Sequence, residues 1–256
     1  MPYAENAGVR LYYEVEGDGP PLVLHAGNMM RLQDWRREDV AVAQALRNDY
    51  RLILMDPRGY GRSDKPHDAA AYTFEARVRD VAAVLDAAEV EQARFWGYSL
   101  GALIGFGFGL RAPGRCHALI LGGGAPASLD PARYARQASA LRRGSMADHV
   151  AQMEMNAGPF PPAVREGLLA NDPLVLAAHF EAACTYPDLT AELPTLRPPA
   201  FLYAGDADPY FAGVQQATEA IPGATFVALP GLNHGQAFQA AGAILPQVRA
   251  FLTQNG

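Results

Sequence analysis

Short, continuously apolar runs alternate along the chain with longer stretches whose apolar positions recur every three or four residues. Leu22–His25, Arg51–Asp56, Ala93–Tyr98, Ala118–Leu121, Ala200–Ala204 and Thr225–Leu229 are such runs, and all but Ala93–Tyr98 are followed within two residues by Gly or Pro. Runs of that length and content predict strands buried on both faces. Val9–Val15 alternates in part and suits an early antiparallel strand. Helical spacing appears from Trp35 to Arg47 through Val40, Ala43 and Leu46. It recurs from Thr73 to Leu85, with Thr73 as N-cap and Phe74, Val78, Val81 and Leu85 on one face. Further helices are expected at 211–220 and 240–252, with Pro246 bending the last. Strand and helix in alternation predict an α/β fold with a mostly parallel sheet covered on both faces.

The alternation stops between residues 126 and 194. Helical patterns at 131–142, 145–156, 161–170 and 172–184 follow one another with no strand between them. The expected organisation is a core domain of residues 1–125 and 195–256, with 126–194 inserted as a helical cap over the C-terminal ends of the strands.

Composition narrows the picture without naming a chemistry. A length of 256 residues with 50% apolar content suits one globular core. The 21 basic and 27 acidic residues give a net charge of −6 with no long block of either sign, so a nucleic-acid footprint is not expected. Cys116 and Cys184 stand far apart, outside any CxxC or Cys/His cluster, which argues against a disulfide framework or structural zinc. No basic, apolar leader is read at the N-terminus, and no run of 18 apolar residues suggests a membrane span. A cytoplasmic protein acting on a small molecule, without a cofactor or metal, is the expectation; oligomeric state is not legible.

The candidate chemistry lies at the strand ends. Phe95–Gly101 reads as a strand entering Gly97-Tyr98-Ser99-Leu100-Gly101 and then an apolar, glycine-rich helix. Strand, sharp turn and helix are the context in which a serine hydroxyl is projected clear of the backbone. Glycines at 97 and 101 remove the Cβ atoms that would collide as the chain reverses. Asp206 or Asp208 follows a later strand, and His234 follows the last one. In an open parallel sheet these ends share one edge, where ligands bind. A serine needs a base to take its proton, and the base needs a carboxylate to orient it. The order Ser, Asp, His fits this architecture. Glycines 105, 107 and 109 lie inside a helix rather than opening one, so they suit helix–sheet packing and not a phosphate loop.

Taken with His25-Ala26-Gly27, the D-x-R-G-x-G-x-S string Asp56–Ser63, Gly205-Asp206-Ala207-Asp208 and Asn233-His234, the chain resembles the α/β-hydrolase superfamily over nearly its full length. That resemblance implies Ser99 as nucleophile, His234 as base and Asp208 as the acid, with Asp206 as the alternative. It implies backbone N–H groups of Leu100 and Gly27 as the oxyanion hole. Ala26 stands where the family usually has glycine, so Asn28 is the other candidate donor. Asp56, Arg58 and Asp64 are expected to pair and to build turns. Asn28, Met29 and Tyr98 beside the site, and Met146, Met153, Phe160 and Phe180 in the cap, are the candidate substrate contacts. Core packing would explain the cap residues equally well. The implied reaction is hydrolysis of a carboxylic ester or lactone through an acyl-enzyme. Carbon–carbon bond hydrolysis, amidase action and perhydrolysis are alternatives on the same residues, as is a non-catalytic ligand-binding or signalling protein on the same scaffold. A serine in place of a carboxylate at the elbow argues against haloalkane dehalogenase and epoxide hydrolase chemistry.

Overall fold

The computed structural model describes residues 3–127 and 130–255. The expected domain limits and the N-terminal reading touch residues 1–2, 128–129 and 256, which lie outside the described ones. Eight strands are described: β1 Tyr3–Asn6, β2 Val9–Glu16, β3 Pro21–His25, β4 Arg51–Met55, β5 Ala93–Tyr98, β6 Cys116–Gly122, β7 Ala200–Gly205 and β8 Thr225–Leu229. They form one sheet in the order β1-β2-β4-β3-β5-β6-β7-β8, antiparallel at β1/β2 and β2/β4 and parallel thereafter.

The continuous apolar runs are explained by where alternate residues go. Val23, Ile53, Phe95, Leu119 and Leu202 enter one core, on the face covered by α2 (Phe74–Ala87), α3 (Leu100–Arg111) and α8 (Phe211–Ala220). Their neighbours Leu24, Leu54, Trp96, Ile120 and Phe201 enter a second core, beneath α1 (Val42–Leu46) and α10 (Ala241–Gln254). A strand with both faces covered has no position to spare for a polar residue. The glycines of α3 allow the close approach expected of them. A Cβ at Gly105 would lie 2.5 Å from Leu121 and one at Gly107 would lie 2.5 Å from Phe74.

The structure departs from the simple pattern at three places. The helix over 35–47 is instead a 3-10 turn at Leu32–Arg36 and the short α1, separated by Ala41 at φ 51°. Val40, Ala43 and Leu46 are buried as their spacing requires, but through a kinked path. Strand β1 escapes periodicity because it has four residues and is joined to β2 through Ala7 (φ 52°) and Gly8 (φ 76°). Both turn residues have positive φ, a hairpin geometry normally announced by Asn-Gly. Finally, residues 230–235 are not wholly loop. His234 opens α9 (His234–Gln239), capped by Asn233 and Gln236 in a reciprocal box that the Asn-x-x-Gln spacing encodes.

Between β6 and β7 the described chain is helical, with α4 Pro131–Arg143, α5 Met146–Ala157, α6 Pro162–Leu169 and α7 Pro173–Ala183. Helix α7 is largely apolar, with His179 and Glu181 its polar side chains. Leu176, Ala177 and Phe180 pack with Ala138, Leu141, Met146 and Val150 of α4 and α5. Val175, Ala178 and Ala182, spaced along the opposite face, pack on Tyr60 and Tyr72 of the sheet domain. A helix buried on both sides ties the insertion to the body beneath it.

Candidate active site

Ser99 sits at φ 56°, ψ −115°, between β5 and α3. A non-glycine residue there carries backbone strain of about 1–3 kcal/mol, and the surroundings must hold it. They do: its N–H donates to the Gly122 carbonyl at 2.8 Å, and its carbonyl accepts from Ala102 and Leu103. The turn closes so tightly that a Cβ at Gly97 would lie 2.2 Å from the Gly101 oxygen. Ser99 is the N-cap of α3, and among the described residues no acceptor takes the N–H of Leu100. That N–H lies at the positive end of the helix dipole.

His234 reaches Ser99 from the other side. Its Nε2 lies 3.0 Å from Ser99 Oγ and its Nδ1 lies 2.7 Å from Asp208 Oδ2. The Asp208 side chain is fully buried, whereas that of His234 is 33% exposed. Asp208 is fixed in turn by the Tyr210 N–H, which donates to its Oδ1 at 2.9 Å. Asp206 points elsewhere and accepts the Gly231 N–H at 2.7 Å, stapling the loop that leads to His234. The other histidines are occupied or remote from the serine. His25 is buried, with Nδ1–H donating to the Ala26 carbonyl, and burial pulls its pKa down to about 4. His179 is buried against Arg77, His67 pairs with Asp172, and His117 meets the Asn255 carbonyl. The ring of His149 lies against Phe180.

The loop after β3 closes over the serine. A Cβ on Gly27 would lie 2.9 Å from Met30 Sδ and 3.2 Å from Ser99 Cβ, so the loop backbone packs tightly beside the serine. Asn28 turns its side chain away to accept the Tyr60 hydroxyl, and Met29 follows at φ 60°. Asp56, Arg58 and Asp64 all have structural work. Asp56 accepts the N–H groups of Leu32 and Arg62 at 2.7 Å each, Arg58 makes a buried bidentate pair with Asp80, and Asp64 pairs with Arg10.

The candidate substrate contacts divide. Tyr98 is 1% exposed, and its hydroxyl donates to the His234 carbonyl. Its ring centroid lies 5.1 Å from the imidazole and 5.0 Å from Phe238. It supports the histidine from below rather than offering itself to a ligand. Met146 and Phe180, each 5% exposed, are consumed by the core of the insertion, where Phe180 stacks on Tyr134 at 5.4 Å. Met153, Phe160, Asn28 and Met29 are half-buried. Two residues at the site carried no sequence signal of their own. Tyr210 lays its ring 5.4 Å from that of His234, and Tyr60 holds Asn28. The position of Tyr60 within the Asp56–Ser63 string was the available clue.

A family model described as alpha/beta hydrolase fold matches residues 20–171, more than half of the chain. The chain belongs to the alpha/beta hydrolase fold family. Within that family it is 28% identical to a non-heme chloroperoxidase of Streptomyces lividans over 96% of both chains. An epoxide hydrolase of Caballeronia sordidicola is 35% identical over 44% of this chain and 33% of its own. Other curated alpha/beta hydrolase relatives, from Azorhizobium caulinodans and Mycobacterium tuberculosis among others, are also matched over less than half of their own length. In structure, the enol-lactonase of Burkholderia xenovorans LB400 superposes with a TM-score of 0.87 at 26% identity, over 98% of this chain and 100% of that one. Among the described residues, no helix is long and apolar enough to cross a membrane, and no group of three or more His, Cys, Asp or Glu could hold a metal ion.

Proposed function

We propose that the protein is a serine hydrolase that cleaves a carboxylic ester or lactone of a small to medium, largely apolar substrate through an acyl-enzyme. The observation that carries this reading is the placement of His234 between Ser99 Oγ and Asp208, at 3.0 and 2.7 Å. His234 Nε2 takes the proton of Ser99 as its oxygen attacks the carbonyl carbon. Asp208 holds Nδ1–H and stabilises the imidazolium that forms. The tetrahedral oxyanion falls to the N–H groups of Leu100 and Gly27, each such donor being worth roughly 3–4 kcal/mol in the transition state. The imidazolium then protonates the leaving alkoxide, and the neutral ring activates water against the acyl-enzyme. The insertion serves as a cap, with Met153 and Phe160, together with Met29 of the loop after β3, as apolar substrate contacts. The enol-lactonase likeness supports lactones within the substrate class.

The full-length match to a chloroperoxidase supports a second outcome, in which hydrogen peroxide in place of water receives the acyl group and gives a peracid. A panel of activated short-chain esters, lactones, amides and vinylogous diketones, with and without peroxide, decides among these reactions. Ser99→Ala is expected to lower turnover on the best substrate by at least about 1,000-fold with the fold retained. Full activity in that variant would overturn the assignment. Tight binding to the wild-type site without turnover would favour a binding protein instead.

A further inference from the structure

The loop that brings Gly27 against Ser99 is held at several points, and none of the holding groups belongs to the triad. From beneath, the Tyr60 hydroxyl donates to Asn28 Oδ1. From the insertion, Asn171 Nδ2 donates to the Met29 carbonyl at 3.2 Å. Within the loop, Met30 N–H meets the Gly27 carbonyl at 3.3 Å. The Met29 side chain packs at once against the insertion core and against the Tyr60–Tyr72–Val175 cluster. Without such contacts, a loop holding Met29 at positive φ would be free to relax away from the serine.

Tyr60 is the fixed point of this arrangement. It is 1% exposed, and burial raises its pKa, so the hydroxyl remains a donor across the working pH range. Its ring rests against His179 of α7, which contacts the buried guanidinium of Arg77 on α2. A phenylalanine would fill the same apolar space. The hydroxyl therefore adds only what its hydrogen bond does, and a buried hydroxyl without a partner is costly.

We propose that Tyr60 is a positioning residue: through Asn28 it sets the direction of the Gly27 N–H beside Ser99, and Asn171 closes the same clamp from the insertion. The cap then does more than cover the substrate, because its seating on the body also sets the geometry of the oxyanion site. This inference rests on the hydrolase reading above.

The decisive comparison uses the full-length wild type, Tyr60→Phe, Asn28→Ala, the double variant and Asn171→Leu. For Tyr60→Phe, kcat is expected to fall roughly 10- to 100-fold with KM within about twofold, since small misplacements of catalytic groups cost rates of that size. A boronate or trifluoromethyl ketone inhibitor is expected to lose affinity in parallel with kcat. If Tyr60 acts through Asn28, the double variant is no slower than the slower single one. Asn171→Leu is expected to show the same split more weakly. Unchanged kcat and inhibitor affinity in Tyr60→Phe would overturn the proposal, as would additive losses in the double variant. Amide exchange across residues 27–30 reads the clamp without turnover. Protection at least about tenfold lower in Tyr60→Phe than in wild type supports it, and equal protection overturns it. Failure of the hydrolase reading is separately visible, as absent turnover and absent fluorophosphonate labelling of Ser99 in the wild type.

Discussion

The strand ends and the helical insertion hold the same kinds of side chain and use them differently. At the strand ends, His234 has Asp208 on one ring nitrogen and presents the other to Ser99, with a third of its side chain open. In the insertion, His179 is buried, and its ring nitrogen is taken up by Arg77. Tyr98 and Tyr210 brace the imidazole of His234, whereas Tyr134 stacks on Phe180 to build the insertion's own core. The difference is architectural. A parallel sheet fixes where each strand stops, so residues just beyond β5, β7 and β8 meet at one edge whatever their separation in sequence. Helices in an insertion have no shared edge, and each side chain goes wherever mutual packing sends it.

This contrast can be broken from either side. The largest effect is expected at the strand ends. Asp208→Asn should lower kcat by about 10,000-fold while leaving the fold intact, because an amide in place of the carboxylate favours the wrong imidazole tautomer. Asp206→Asn, which touches only the Gly231 N–H, should cost less than tenfold. Steady-state kinetics on the best substrate checks both, and equal losses would mean that the edge does not discriminate between the two carboxylates.

In the insertion the expected loss is in stability. Phe180→Ala should cost about 3–5 kcal/mol of unfolding free energy, as large-to-small changes in a packed core do, with KM changed by less than a few fold. Denaturant titration beside Michaelis kinetics separates the two quantities. A raised KM with unchanged stability would return Phe180 to the substrate and erase the contrast.

The smallest effect reads one histidine in each region. His25, at a strand end, and His179, in the insertion, both have depressed pKa values, set chiefly by burial. The unfolded chain binds protons that the folded chain resists, so stability is complete above the ordinary histidine pKa of about 6.5 and declines as pH falls below it. For His25 the decline is spent near pH 4 and amounts to on the order of 3 kcal/mol. Unfolding curves between pH 7.5 and 4.5 should show this slope, and His179→Gln should make it shallower. An unchanged slope would mean that the buried His179 stays uncoupled from stability.

Much of the sheet and of its edge was legible because both rest on short-range patterns. Apolar runs marked the inner strands, which are buried, whereas Thr225–Leu229 forms the edge strand β8 and buries only Leu229; Thr73 capped the Ala76 N–H of the helix it was read to start. The insertion helices were legible in the same way, since their caps at Asp130, Ser145 and Asp172 are local. What those helices do was not legible. Met146 and Met153 lie on one helix with similar composition around them, yet one is buried in the insertion core and the other is half-exposed. Only the neighbouring helices distinguish them.

Sequence by itself determined the alternation of elements, the strained turn at Ser99 and the set of polar residues that end strands. Each of these follows from backbone sterics and burial within a few residues. Only the tertiary structure decided that Asp208 and not Asp206 meets His234, that Tyr98 braces the histidine, and that Tyr60 holds Asn28. Two carboxylates two residues apart are chemically alike in a sequence, and only the family resemblance singled out Asp208 over Asp206. They become different when one is turned into a buried site and the other out toward a loop.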